Sequence, residues 1–194
     1  MKKIFMFLVI LGLGFNLNAQ SRKQRKAEKK AELEAKFEVT KTLLESKSFQ
    51  FEANWANPLG NDAVRIGQSL PGGAAVFQGN RVSLTGNSNY VKITGDKANI
   101  ALPFFGRVFF PSRINNNGGF NYNGNLDNYS VSVNEKKKTV TIKFKAKSDN
   151  DQLIFILRVN AGGGAILNVN STNRQTIAYD GVVKALDFEQ DTSN

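Results

Sequence analysis

The stretch YSVSVNEKKKTVTIKFKAK, residues 129–147, decides the fold class. Tyr129, Val131 and Val133 alternate with Ser130 and Ser132, and Val140, Ile142, Phe144 and Ala146 alternate with Thr141, Lys143, Lys145 and Lys147. Successive side chains of a strand point to opposite faces, so each run has one face to bury and one to wet. Asn134–Lys138 is a short polar link that turns the chain back. The stretch is therefore a β-hairpin with Lys143, Lys145 and Lys147 in water.

The same pattern recurs on both sides of it. Leu153–Val159 is almost continuously apolar, as in a central strand. Ile166–Asn170 with Arg174–Tyr179 predicts a second hairpin, and Val182–Ala185 a closing strand. Toward the N-terminus, strands are expected at Gly119–Asn123, Arg107–Phe110, Lys97–Leu102, Tyr90–Thr94 and Arg81–Leu84, spaced by about ten residues. Gly95-Asp96 fits a two-residue turn in which glycine supplies the positive φ. Phe49, Phe51, Ala53 and Trp55 alternate with Gln50, Glu52 and Asn54, which makes another half-buried strand. Residues 56–80, punctuated by Pro58, Gly60, Pro71, Gly72 and Gly73, read as loop with a short strand near Ala74–Phe77.

No helical crossover pattern separates these strands, so an antiparallel meander is expected rather than a parallel βαβ sheet. A long meander must protect its edges, and closure removes them. The expected fold is thus all-β, a lipocalin-like barrel over residues 48–187, with a two-sheet β-sandwich as the alternative. A membrane-spanning barrel is not expected. Its strands would be longer, and Lys143, Lys145 and Lys147 would face lipid.

The first 47 residues are different. Lys2 and Lys3 precede an apolar run over 4–15, and Leu17 and Ala19 sit where a signal peptidase reads small residues. Residues 1–19 are expected to be a cleavable signal peptide, cut after Ala19, so the product is periplasmic or secreted and not transmembrane. The chain has no cysteine, which excludes a lipoprotein. Residues 20–47 are rich in Ala, Glu, Lys and Leu and predict a charged helix. Leu33, Phe37, Thr40 and Leu44 form one narrow stripe that docks 33–46 on the domain, while the part before about Lys30 frays. Residues 188–194 read as a disordered tail.

The formal net charge is +10. Residues 20–47 hold nine Lys/Arg against five Glu, and residues 48–194 hold fifteen Lys/Arg against eleven Asp/Glu. Basic chains favour anionic partners. In an exported protein nucleic acid is not expected, and residues 21–32 are the candidate for peripheral contact with a membrane or partner.

Several chemistries are missing. There is no histidine, which removes the commonest base near neutrality and every Ser–His–Asp triad. No cysteine means no thiolate. Gly162-Gly163-Gly164 lacks the phosphate-loop pattern and its helix, so it reads as a hairpin turn. Asp149 and Asp151 flank Asn150, but the rest of a calcium loop does not follow, and an Asx-rich turn is the expectation. No catalytic pair, metal or cofactor is expected, and the chain is read as a non-enzyme.

The unusual segment is Leu102-Pro103-Phe104-Phe105-Gly106-Arg107. Proline interrupts strand pairing, and two adjacent phenylalanines cannot both face inward from a regular strand. Arg107 could hold a ligand anion. Asn173-Arg174-Gln175 with Tyr179 forms a second polar cluster. Trp55, Phe104, Phe105, Arg107, Arg174 and Tyr179 are the candidate ligand-binding residues at a barrel mouth. The bland reading is that both segments are corners that plug a barrel end.

These residues resemble a family. FQFEANWANPLG (Phe49–Gly60), ITGDKANIALPFFGR (Ile93–Arg107), the Gly119-Phe120 strand and STNRQTIAYDGVV (Ser171–Val183) resemble DUF4251, a family of exported Bacteroidetes proteins. Its most specific element is Leu-Pro-Tyr/Phe-Phe-Gly-Arg. The resemblance implies a lipocalin-like fold and a periplasmic or surface setting, and it implies no activity. Two departures are a long Asn-rich loop at 115–125 and Phe104 where tyrosine is common, which removes a hydroxyl that would orient a ligand.

Two functions follow. One is a binding module holding a small apolar or amphipathic ligand in an internal cavity of a few hundred cubic ångströms, which a tightly filled interior would exclude. The other is a structural or interaction protein of the cell envelope with a filled barrel, meeting an envelope protein through the basic helix or a sheet edge. A carboxylate hydrolase is a distant third, and it requires two Asp/Glu side chains about 5–10 Å apart in one cleft.

Overall fold

The computed structural model describes residues 2–60, 62–69, 71–110, 118–148 and 151–186. Helix α1 (Lys2–Glu45) opens the chain. Residues 1–36 form one compact unit and residues 37–194 a second. Residues 22–32 are helical and exposed, not frayed. Their Ala, Glu, Lys and Arg content is enough to carry the helix without packing. Among the described residues no helix is long and apolar enough to cross a membrane.

The end of α1 belongs to the second unit and is tied to it. Phe37 and Leu44 are fully buried and Thr40 nearly so, whereas Leu33 is 48% exposed. The docking stripe therefore starts one turn later than its spacing suggested. Thr40 Oγ1 donates to the Ala161 carbonyl at 3.0 Å, and the Tyr129 hydroxyl donates to the Leu44 carbonyl at 3.3 Å. Both bonds satisfy polar groups that burial would otherwise strand. Lys47, at φ 52, ends the helix in the left-handed conformation. Its carbonyl accepts from Gly95 N at 2.8 Å, and its ammonium meets Asp96 at 2.7 Å.

Among the described residues eleven strands follow: β1 (Ser48–Pro58), β2 (Phe77–Gln78), β3 (Arg81–Ser83), β4 (Tyr90–Thr94), β5 (Lys97–Pro103), β6 (Gly119–Asn125), β7 (Asp127–Asn134), β8 (Thr139–Ser148), β9 (Asp151–Asn160), β10 (Gly164–Ser171) and β11 (Ile177–Ala185). Among the described residues two short helices lie between β1 and β2: α2 (Asp62–Gln68), where loop was expected, and α3 (Gly73–Val76), which takes most of the strand expected near Ala74–Phe77 and leaves only Phe77 to β2. The strands expected at 174–179 and 182–185 become one, β11, which starts only at Ile177. The expected strand at 107–110 is only an isolated bridge, Val108 to Arg174.

The main path runs β6-β5-β4-β1-β11-β10-β9-β8-β7, all antiparallel. The fold is a nearly closed antiparallel barrel-like sheet of nine strands, preceded by a helix. Its two end strands, β6 and β7, are consecutive in the chain and separated only by Leu126, whose N–H donates to the Asp96 carbonyl at 2.8 Å. The 129–147 hairpin forms as read, with Val131 opposite Ile142 and Val133 opposite Val140. Val140, Ile142, Phe144 and Ala146 are buried completely, and Lys143 and Lys147 are exposed.

Strand β1 is the spine, pairing with β4 on one side and β11 on the other. It carries a register shift between Ala53 and Trp55. A bulge places two residues against one and reverses the alternation beyond it. Phe49, Phe51 and Ala53 face the core, then Ala56 and Pro58 do, and Trp55 turns outward. Opposite the bulge, a Cβ on Gly181 would stand 2.0 Å from the Glu52 carbonyl oxygen, so only glycine permits the approach of β11 to β1.

Candidate functional site

The corner after β5 is held from several directions. Pro103 ends the β5 pairing, and Phe104 and Phe105, both half-buried, leave in different directions. The Phe104 ring meets Phe120 edge-on at 5.4 Å, while Phe105 meets Phe77 edge-on at 6.2 Å. These T-shaped contacts are the favoured aromatic geometry. The sequence constraint that only one of two adjacent rings can face inward is thus met by giving each its own partner.

Arg174 sits between the corner and the β10–β11 turn. Its guanidinium lies 5.6 Å from the Phe104 ring centre and 5.1 Å from that of Phe120. Nη1 donates to the Gly119 carbonyl at 2.6 Å, and Nε stands 4.0 Å from Asp151 Oδ2 with both side chains 13% exposed. Asp151 also accepts from the hydroxyls of Ser171 and Thr172 and from the N–H groups of Thr172 and Asn173. A carboxylate with this many donors is a structural knot. The Asx-rich turn expected at Asp149-Asn150-Asp151 lies mostly outside the described residues, as does Asp149, the proposed calcium partner; what Asp151 binds is the turn after β10. Arg174 is spent on carbonyl, carboxylate and rings, which leaves little of it for a ligand anion.

Arg107 is exposed, and its backbone binds the same turn. Its N–H donates to Gln175 Oε1 at 3.3 Å, and its carbonyl accepts from Gln175 N at 2.9 Å. Gln175 Nε2 reaches the Leu59 carbonyl at 2.7 Å. Tyr179 is fully buried, so it is no part of a mouth. Its hydroxyl donates to the Pro103 carbonyl at 2.6 Å, and burial pushes its pKa far above the ordinary phenol range, with the Arg174 charge opposing.

Four of the six candidate residues therefore meet at one corner: Phe104, Arg107, Arg174 and Tyr179, linked through Pro103, Gln175 and Phe120. Phe105 is joined to it through Phe77. Trp55 is not at that corner. It lies on the outer wall beneath Arg81, whose guanidinium carbon is 4.0 Å from the ring centre. The bulge, invisible in an alternating pattern, put it there.

Two features escaped the sequence reading. Val108, Phe109 and Phe110 are 48%, 57% and 68% exposed, on a backbone pinned by Phe109 N and Phe110 N to the Asn173 carbonyl at 2.8 and 3.3 Å. Their apolar run looked like a strand and gave no sign of exposure. An open cleft of about 410 Å³ is lined by Asn57, Gln78, Gly79, Asn80 and Arg81, the last of which lies over the Trp55 ring.

The profile of the family described as "Domain of unknown function (DUF4251)" matches residues 13–183. The chain belongs to the DUF4251 family. A crystal structure of a DUF4251 family protein from Bacteroides eggerthii DSM 20697 is similar to it in fold, with a TM-score of 0.53 and 16% identity. The likeness covers 78% of this chain and 88% of that one. No curated protein matches the chain. Membership confirms the expectation drawn from the Leu102–Arg107 block and its companions.

Proposed function

We propose that this DUF4251 protein is an exported, non-enzymatic interaction protein of the cell envelope, with the barrel as a solid mount. The observation that carries this reading is the close packing of core side chains among the described residues. Phe49, Phe51, Ile93, Ile142, Phe144, Phe155, Leu167 and Val169 are 0% exposed. Zero exposure means that no water-sized sphere touches them, from solvent or from an internal void. An internal site for an apolar ligand needs walls that such a sphere can reach. The runner-up reading, a small apolar ligand inside the barrel, finds no support there.

Charge supports the choice of contact surface. Residues 22–32 are all exposed and carry six Lys/Arg against two Glu. The Lys2–Ala19 pattern supports export and cleavage after Ala19, which would place this basic helix at the mature N-terminus. A helix of that kind associates through screened electrostatics.

The test is co-sedimentation of the chain starting at Gln20 with envelope membranes, with and without residues 21–32. Association should fall as salt rises and disappear in the deleted form. Equal association of both forms would make the helix a leader only and remove the reading. A small molecule retained in native mass spectrometry of the protein from its own periplasm would restore the ligand-binding alternative.

A further inference from the structure

We infer that the outer-wall cleft beside Trp55 is a binding site for neutral saccharides. This goes beyond the interaction role of the basic helix and does not depend on it.

The bulge at Ala53/Trp55 takes the chain's one tryptophan out of the core and sets it half-buried on the outside of β1. Bulges re-aim side chains and occur beside functional sites more often than chance. Around the ring stand planar polar groups. Trp55 is paired in register with Asp180 on β11 and with Ser83 on β3. Asn57 Nδ2 donates to Asp180 Oδ2 at 2.9 Å, which leaves the amide oxygen and the second carboxylate oxygen as acceptors and one N–H as donor. Gln78, Asn80 and Arg81 rise on the opposite side, all exposed. Among the described residues, Asn80 makes no hydrogen bond and Arg81 has no ion pair. Its guanidinium stacks on the Trp55 ring.

This set matches one kind of ligand. A pyranose presents an apolar C–H face, which an indole covers, and a rim of hydroxyls that each donate and accept. Amide and carboxylate groups side by side complement such a rim. A phosphate-bearing ligand would meet a single cation, Arg81, with the Asp180 carboxylate nearby. An extended peptide would ask for a free strand edge, but at Trp55 and Ala56 β1 is paired with β11 on one side and with β3 on the other. Arg81 acts as a removable cover. An exposed cation–ring contact shifts an equilibrium by only about two- to five-fold, so a ligand can displace it at little cost. The turn carrying it is open: a Cβ on Gly79 would meet nothing within 4 Å.

Trp55 also supplies the readout, since all tryptophan emission comes from this cleft. The full chain is titrated with cellohexaose, mannohexaose and xylohexaose, with hexagalacturonate as the anionic control, by emission and by calorimetry. At least one neutral hexasaccharide should give a saturable change. Asn80→Ala should weaken it at least five-fold without lowering the melting temperature, and Trp55→Ala should abolish the calorimetric signal. Trp55→Phe keeps an aromatic face and should bind within a few-fold of wild type. Arg81→Ala should make Trp55 emission more quenchable by acrylamide. No saturable signal with any neutral sugar overturns the inference. So does binding of hexagalacturonate alone, or undiminished binding by Trp55→Ala. Failure here leaves the helix-deletion result untouched, so the two readings fall separately.

Discussion

Tyr179→Phe removes one oxygen atom from the fully buried end of β11, and its effect follows from the geometry. The hydroxyl donates to the Pro103 carbonyl at 2.6 Å, which ties the barrel wall to the start of the aromatic corner. Without it that half-buried carbonyl loses a partner, at about 1–3 kcal/mol. For a domain of this size each kcal/mol shifts the melting temperature by about 2–4 °C, so the variant should melt about 2–12 °C lower. Urea unfolding should show a lower midpoint at an unchanged slope, because the exposed surface does not change. Alkaline pH supplies a second readout. The unfolded phenol ionises near pH 10, whereas burial holds Tyr179 protonated well above that. Tyr129 is likewise pushed up to about 12. Above pH 10 the native state therefore binds more protons than the unfolded one. The stability from these groups is complete below pH 10 and declines as pH rises, by up to about 1.4 kcal/mol per unit for each tyrosine. Tyr179→Phe should flatten that alkaline limb and leave the Tyr129 share. Equal stability to within about 0.3 kcal/mol at pH 7, with an unchanged alkaline limb, would refute the buried hydrogen bond.

Gly181→Ala forces a Cβ against the Glu52 carbonyl at 2.0 Å and the Phe51 ring at 2.8 Å, both across the closing seam; it should cost about 1–3 kcal/mol by thermal melting, and a neutral result would mean that β11 sits farther from β1. Thr40→Val keeps the side chain's shape but strands the buried Ala161 carbonyl, so urea unfolding should show a loss of about 1 kcal/mol; no loss would mean that the helix end is held by Phe37 and Leu44 alone.

The parts legible in the sequence were those with a period. The 129–147 hairpin, the Gly95-Asp96 turn and the buried face of β8 follow from alternation and turn chemistry. The reading failed where a local break decides. One extra residue at Ala53/Trp55 moved the tryptophan from core to surface, and no period-2 pattern contains that information. Asp62–Gln68 is seven residues long and holds Gly67, too short and too broken for a helical signal. Residues 107–110 are apolar but pair through one bridge. At the corner, composition marked the right neighbourhood, and it could not show that Arg174 is already engaged. That depends on Asp151 and Gly119, which are distant in sequence and brought near by the sheet.

The pairing of β1 on both sides has a consequence for how the chain is made. Its partner β11 ends at Ala185, 136 residues after the Phe49 with which that residue pairs. Contacts this distant form late, because the intervening chain must lose its freedom first. A polypeptide emerging N-terminus first holds β1 with one edge unpaired until almost the whole domain exists. During that interval Phe49 and Phe51 have only the β4 side to pack against, and an unpaired edge invites association with other chains. Strand β11 thus joins the two halves of the sheet, and a chain cut short before it would carry nearly all of the core while leaving β1 and β10 each with an unpaired edge.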